Sequence, residues 1–416
     1  MPELSKYAII YMPEEQQPPL GIVQILHGMA DYQGRYREFA QFLTGQGYAV
    51  VTSDLRGHGN HISRNTDLGF FGDNAVSRLI GDVHEISQYI REQFPGIPHI
   101  LIGQGMGALL AVTYFKKYDS SLDGLFLMGM PSFRPLLPLG NLLVRLFEMM
   151  KGEYYRSRLI QFVMLGQYYQ PFRKEGSNHA WLSSDPEAVS RYDQDPKCGF
   201  LFPLNGFQTL VELMAAAFIK GSWIRKKLKC PIRLLWGADD PSIRNSFGSQ
   251  KTVQLFSDQG YTNIAYISYP GQRHEVLQDT RKETAFQDIL RELESICKTV
   301  PDSKEEPSSG PAHIVLDDFI DPEVEQPIRE EEHLNLEEFI NSQKTGYAAD
   351  HAKVEMIDFL EIDQMAEQKE ATEEQVLNEL LSGLLDAKES EHSFYVGDIM
   401  EEEPQDGELS EDDLLK

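Results

Sequence analysis

His99-Ile100-Leu101-Ile102-Gly103-Gln104-Gly105-Met106-Gly107-Ala108 carries an apolar run into a turn with glycine at alternate positions. A helix-like segment, Ala108 to Lys117, follows it. A short apolar run bounded by turn residues reads as a strand buried on both faces, so this is a strand–turn–helix unit. Such a unit presents its central residue, Gly105, at the carboxyl end of the strand.

Similar strands flank it. Upstream, Tyr7 to Tyr11 and Gly21 to Leu26 read as strands, and the second ends in His27-Gly28-Met29-Ala30-Asp31-Tyr32. A helix at about Tyr36 to Gln46 leads to the strand Tyr48 to Thr52, which ends in Asp54-Leu55-Arg56-Gly57-His58-Gly59. From about Val76 to Phe94, Leu79, Ile80, Val83, Ile86 and Ile90 recur at helical spacing. Downstream come strands at Leu122 to Met128, Pro231 to Trp236 and Ile264 to Ser268, then a helix from about Thr284 to Lys298. Strands alternating with helices predict an α/β fold, a mostly parallel sheet covered on both faces. Residues 131–229 break the alternation. They read as helices and loops, apolar and Met-rich in patches such as Leu142 to Met150. An insertion there is placed to form a lid over the sheet's carboxyl edge, where such folds bind ligands.

Charge divides the chain near residue 300. Residues 1–300 carry a net charge of +1 and residues 301–416 a net of -28, giving the total of -27. The first part is long enough to bury a sizeable core. The second opens with Pro301, Pro307, Ser308-Ser309-Gly310 and Pro311, a linker composition, and its acidity predicts a largely disordered tail. Within it Val376, Leu377, Leu380, Leu381, Leu384 and Leu385 form a helical stripe, with Thr372 and Gln375 suited to cap it. Residues 372–387 are thus a candidate docking segment for a protein partner. An acidic tail repels nucleic acid and anionic lipid, so neither is an expected partner.

Cys198, Cys230 and Cys297 match no metal spacing, and no metal or cofactor is expected. Met1 to Tyr11 lacks the pattern of a secretory leader. No run approaches the ~18 apolar residues of a membrane span. A cytoplasmic location is the expectation.

Three strand ends follow one another in a telling order: Gly105, then Asp239 or Asp240, then His274. Carboxyl ends of neighbouring parallel strands meet in space, so a histidine there can be oriented by a carboxylate and face the turn at Gly105. Backbone N–H groups of Met29 and Met106 stand where a developing oxyanion would need donors.

On these residues, with Arg35-Tyr36, Gly237-Ala238-Asp239-Asp240-Pro241 and Arg273-His274-Glu275, the first 300 residues resemble the monoacylglycerol lipase, lysophospholipase and serine aminopeptidase branch of the α/β-hydrolase superfamily. Trp181-Leu182-Ser183, Tyr192 and Asp195 to Phe200 are similar to bacterial lysophospholipase-type members. The resemblance implies Asp240 as the acid, with Asp239 as runner-up. It implies His274 as the base, Met29 and Met106 as oxyanion donors, His58 as structural, and a small apolar or acyl-ester ligand. Members of this branch read Gly-His-Ser-Met-Gly at the turn. Here the residues are Gly103-Gln104-Gly105-Met106-Gly107, and the serine is absent. Three functions are therefore weighed: a catalytically silent member that binds an acyl ligand or serves as a scaffold, a slow ester hydrolase, and an interaction protein working through its tail. The second would use water activated by His274 and Asp240, or a substitute hydroxyl such as Ser132.

Overall fold

The computed structural model describes residues 7–14, 18–133, 137–218, 223–243 and 245–299. The acidic stretch and its candidate docking segment at 372–387 lie outside the described residues.

Seven strands form one sheet: β1 (Ala8–Tyr11), β2 (Ile22–Leu26), β3 (Ala49–Ser53), β4 (His99–Gln104), β5 (Gly124–Met128), β6 (Ile232–Gly237) and β7 (Ile264–Tyr269). Their order across the sheet is β1-β3-β2-β4-β5-β6-β7. Only β1 runs antiparallel, pairing Ala8 with Ser53; the other pairings are parallel. Every residue of β2, β3, β4 and β5 is buried, as a strand covered on both faces requires.

Alternation along the strands sorts the core into two layers. Leu26, Leu101, Leu125, Leu127 and Leu234 pack on one face. There they meet α2 (Ala75–Gln93), α3 (Met106–Tyr118) and α8 (Asn245–Ser257). Val23, Ile25, Ile100, Ile102, Phe126 and Leu235 point the other way, against α1 (Arg37–Thr44) and α9 (Lys282–Thr299). Helix α3 is buried around almost its whole circumference, because the sheet lies on one side and helices cover the other.

Four helices, α4 (Leu137–Lys151), α5 (Arg158–Tyr169), α6 (Pro186–Gln194) and α7 (Leu204–Phe218), lie between β5 and β6. No strand occurs there among the described residues, in agreement with the reading of 131–229. Seven strands and the helices α1, α2, α3 and α9 fall where the sequence places them, to within two or three residues at each end. Helix α8 is the exception. Its apolar residues make a poor stripe and Gly248 sits inside it, so the helical period is weak.

Candidate functional site

The site begins with the turn out of β4. Gly105 has φ 55° and ψ -113°, a left-handed conformation that strains any residue with a Cβ, and its N–H continues the sheet by donating to the Met128 carbonyl at 2.9 Å. Gly107, the second residue of α3, has another reason to be glycine. A Cβ there would strike the carbonyl oxygens of Leu26 and His27, so the helix lies directly against the end of β2. That close approach sets the turn after β2 beside the turn after β4; the Gly28 Cα lies 3.9 Å from where a Gly105 Cβ would stand.

His274 arrives from the loop after β7. Its Nδ1 is 2.9 Å from Asp240 Oδ2, both side chains being buried. Asp240 also accepts the Ser242 N–H at 2.8 Å, and Ser242 Oγ stands 3.2 Å from the same Nδ1. This geometry places the Nδ1 proton toward the carboxylate and turns Nε2 toward the elbow. Burial opposes charging the ring, but the Asp240 charge and hydrogen bond, with Glu275 and Asp31 behind them, raise the His274 pKa above the usual histidine value. Asp239, the runner-up, is exposed, and its N–H donates to the Gln272 carbonyl at 3.0 Å. Of the two aspartates, only Asp240 reaches the imidazole.

Nε2 faces the glycine with no intervening hydroxyl. It lies 2.9 Å from the position of a Gly105 Cβ, closer than a real Cβ would tolerate. A serine here would force the ring back by a few tenths of an ångström. Among the described residues Nε2 has no hydrogen-bond partner.

Met106 is the first residue of α3, where helix geometry leaves the N–H without an intrahelical acceptor. The Met29 N–H, in the turn after β2, has no acceptor among the described residues. Next to it Ala30 takes φ 48°, unusual for a residue with a side chain. The insertion holds that turn: the Ala30 carbonyl accepts from Tyr192 Oη at 2.8 Å and from the Gly199 N–H at 3.0 Å.

A buried ion network joins these loops. Arg35 donates to both Glu275 oxygens, at 2.9 and 2.5 Å, and to Asp31 at 3.0 Å. Asp31 also accepts from Tyr36 Oη at 3.0 Å and from the Tyr32 N–H at 2.7 Å. Burial works against the Asp31 charge, yet Arg35 and His27 hold its pKa below the usual value. Glu275 follows His274 directly, so Arg35 ties the histidine loop to the turn after β2. The loop is also held by Gln104 Nε2, which donates to the His274 carbonyl at 3.1 Å, and by the Glu275 N–H, which donates to the Leu182 carbonyl at 2.8 Å. The Trp181 ring lies 4.7 Å from the imidazole.

His58 is fully buried against His27, Phe71, Phe200 and Phe202, and burial with the nearby His27 pushes its pKa down to about 3. It packs as a neutral ring apart from the Asp240–His274 pair. Ser132 is buried and its N–H donates to the Ser242 carbonyl at 3.1 Å. That contact puts it beside the residue that touches Nδ1, while the elbow lies beyond Nε2.

Sequence reasoning did not single out Ser242 or the Gln104 side chain. Ser242 could have been found from its position two residues after Asp240, where an aspartate commonly accepts a backbone N–H. Gln104 stands where the related motif has histidine, and nothing in the sequence indicates that it reaches back to the loop after β7. Among the described residues no group of side chains could hold a metal ion, and no helix is long and apolar enough to cross a membrane.

A mostly parallel sheet with a sharp strand–helix turn, an acid after β6 and a histidine after β7 is the α/β-hydrolase fold. Solved structures agree on the fold. A thermostable carboxyl esterase from Bacillus coagulans superposes with a TM-score of 0.63 at 23% identity, over 70% of this chain and 94% of that one. A monoglyceride lipase variant from Saccharomyces cerevisiae gives 0.54 at 17% identity, over 70% and 91%. The family model described as serine aminopeptidase, S33, matches residues 17–281, and the chain belongs to that family. Its relatives include a monoacylglycerol lipase of Mycolicibacterium smegmatis, 24% identical over 65% of this chain and 87% of its own. A phospholipase of Bacillus subtilis is 21% identical, over 64% and 93%.

Proposed function

We propose that this protein is a catalytically silent member of its family that binds an acyl ligand at the elbow. One observation carries the reading: the Asp240–His274 pair is assembled, and its Nε2 faces Gly105. Glycine has no hydroxyl to deprotonate, so no acyl-enzyme forms there. Loss of the serine from a triad costs roughly a millionfold in turnover. Met29 and Met106 are proposed as the remaining oxygen-binding donors. The names of the relatives favour a monoacylglycerol or phospholipid type of ligand, and the apolar helices α4, α5 and α7 suit a long chain.

The test is paired. The natural protein should give no labelling with a fluorophosphonate probe and should bind 1-dodecanoylglycerol, measured by displacement of a fluorescent apolar dye. Labelling at the elbow would overturn the silent site; absence of displacement would overturn the acyl-binding reading.

Slow hydrolysis by activated water is the alternative, and the 2.9 Å approach of Nε2 to the missing Cβ weighs against it, because the ring already occupies part of that space. Ser132, on the Nδ1 side of the ring, is poorly placed to replace the nucleophile. Cys198, Cys230 and Cys297 are all free thiols, which supports a reducing, cytoplasmic setting. The acidic stretch is proposed to recruit protein partners through residues 372–387. Deleting residues 301–416 should abolish partner recovery and leave acyl binding intact; recovery that survives the deletion would exclude this role.

A further inference from the structure

The site's loose hydrogen-bond donors say what kind of acyl ligand it fits. The Met106 N–H heads a 13-residue helix, and the N-terminus of such a helix favours negative charge. The Met29 N–H beside it is also without an acceptor among the described residues. The independent observation is His274, which is 6% exposed, with Nε2 directed at the vacant side-chain position of Gly105 and bonded to nothing among the described residues. Its Nδ1 is committed to Asp240, and a proton on Nε2 has no acceptor among the described residues. In a serine-bearing elbow the hydroxyl takes up that nitrogen. Here a ligand oxygen can do so.

An ester carbonyl offers one good acceptor and leaves the Nε2 proton unmatched. A carboxylate offers two equivalent oxygens, one for the amides and one for the imidazolium, with charge-assisted bonds to each. We propose that the glycine substitution converts the elbow into a receptor for a long-chain carboxylate, the free fatty acid anion, in preference to its esters. The proposal rests on the acyl-binding reading above and specifies the head group.

The groups facing His274 are consistent with this. Asp240 lies behind the ring at Nδ1. Glu275 and Asp31 are the other nearby acids, and both are bound to Arg35, while Tyr36 and the Tyr32 N–H further satisfy Asp31. The Trp181 ring covers the imidazole and carries no charge. Asp31, Glu275 and Arg35 together keep one excess negative charge, so affinity for an anion depends on the imidazolium and the amides. The Asp240 charge and hydrogen bond raise the His274 pKa above the usual histidine value, which favours the charged ring toward the acidic end of the neutral range.

The experiment compares sodium dodecanoate with 1-dodecanoylglycerol on the full chain by isothermal titration from pH 6.5 to 9, below micellar concentrations. Dodecanoate should bind at least tenfold tighter at pH 6.5, with the preference shrinking as pH rises through the His274 titration. His274→Phe should erase the preference. Gly105→Ser should also weaken dodecanoate, since its hydroxyl takes the Nε2 proton. Equal or tighter ester binding by the natural protein would overturn the carboxylate receptor and leave the acyl-binding reading standing. A preference unchanged in His274→Phe would overturn it too. Failure of both ligands to bind would overturn both readings.

Discussion

Gly105 sits where strain and chemistry pull in opposite directions. A φ of 55° costs a residue with a side chain about 1–3 kcal/mol, and glycine avoids that cost. Gly105→Ser should therefore lower stability by about 1–3 kcal/mol in chemical denaturation, with the displaced His274 ring adding to the loss. His274 itself depends on Asp240. In Asp240→Asn the attraction that outweighs burial is gone, so the His274 pKa should fall below about 6.5. A pH titration of the imidazole Hε1 proton by NMR reads this directly; an unmoved value would mean that Asp240 does not set the charge.

At the scale of elements, the loops after β2, β6 and β7 are held together by a few side chains. Removing one partner of a buried ion pair strands the other, at a cost of about 3–5 kcal/mol. Glu275→Ala, which leaves Arg35 with Asp31 alone, should shift the urea midpoint by that order. A change under ~1 kcal/mol, the usual worth of an exposed pair, would show the network to be incidental. Gly107→Ala should cost about 1–3 kcal/mol by overpacking or prevent folding, because its Cβ meets backbone carbonyls of Leu26 and His27 that cannot swing aside. The strands and the helices α1, α2, α3 and α9 were legible in the sequence because burial on both faces writes continuous apolar runs, and one-sided burial writes a helical period. Asp240 and His274 were legible from their order at successive strand ends. The choice between Asp239 and Asp240 was not a matter of pattern: adjacent residues point in different directions, and only the backbone path after β6 selects one. Ser242 and the Gln104 side chain were hidden for the same reason, since their roles arise from contacts across 32 and 170 residues. Helix α8 was hidden because it is held by β7 and by Leu255 and Phe256 in the core, with little period of its own.

For the molecule as a whole, two buried groups shape stability against pH in opposite senses. The His274 pKa is raised in the folded state, so its contribution is full below about 6.5 and is lost as pH rises through the folded value. The Asp31 pKa is lowered, so its contribution is full above about 3.9 and is lost as pH falls through the folded value. Stability should be greatest between these limits. The alkaline decline should flatten in Asp240→Asn, measured as denaturant midpoints from pH 5 to 9; an identical profile in the variant would remove His274 from the explanation. The family's chemistry and this chain's composition meet at one position. A sheet and a hydrogen-bonded Asp240–His274 pair are in place, the Met29 and Met106 amides are proposed as oxygen donors, and the elbow residue is glycine.

The direct test is to expose the natural protein and Gly105→Ser, side by side, to a fluorophosphonate probe and to a panel of short and long acyl esters. The account predicts no labelling and no His274-dependent turnover in the natural protein, and labelling at residue 105 once serine is restored. Labelling of the natural protein at the elbow, or ester turnover that disappears in its His274→Ala variant, would contradict it.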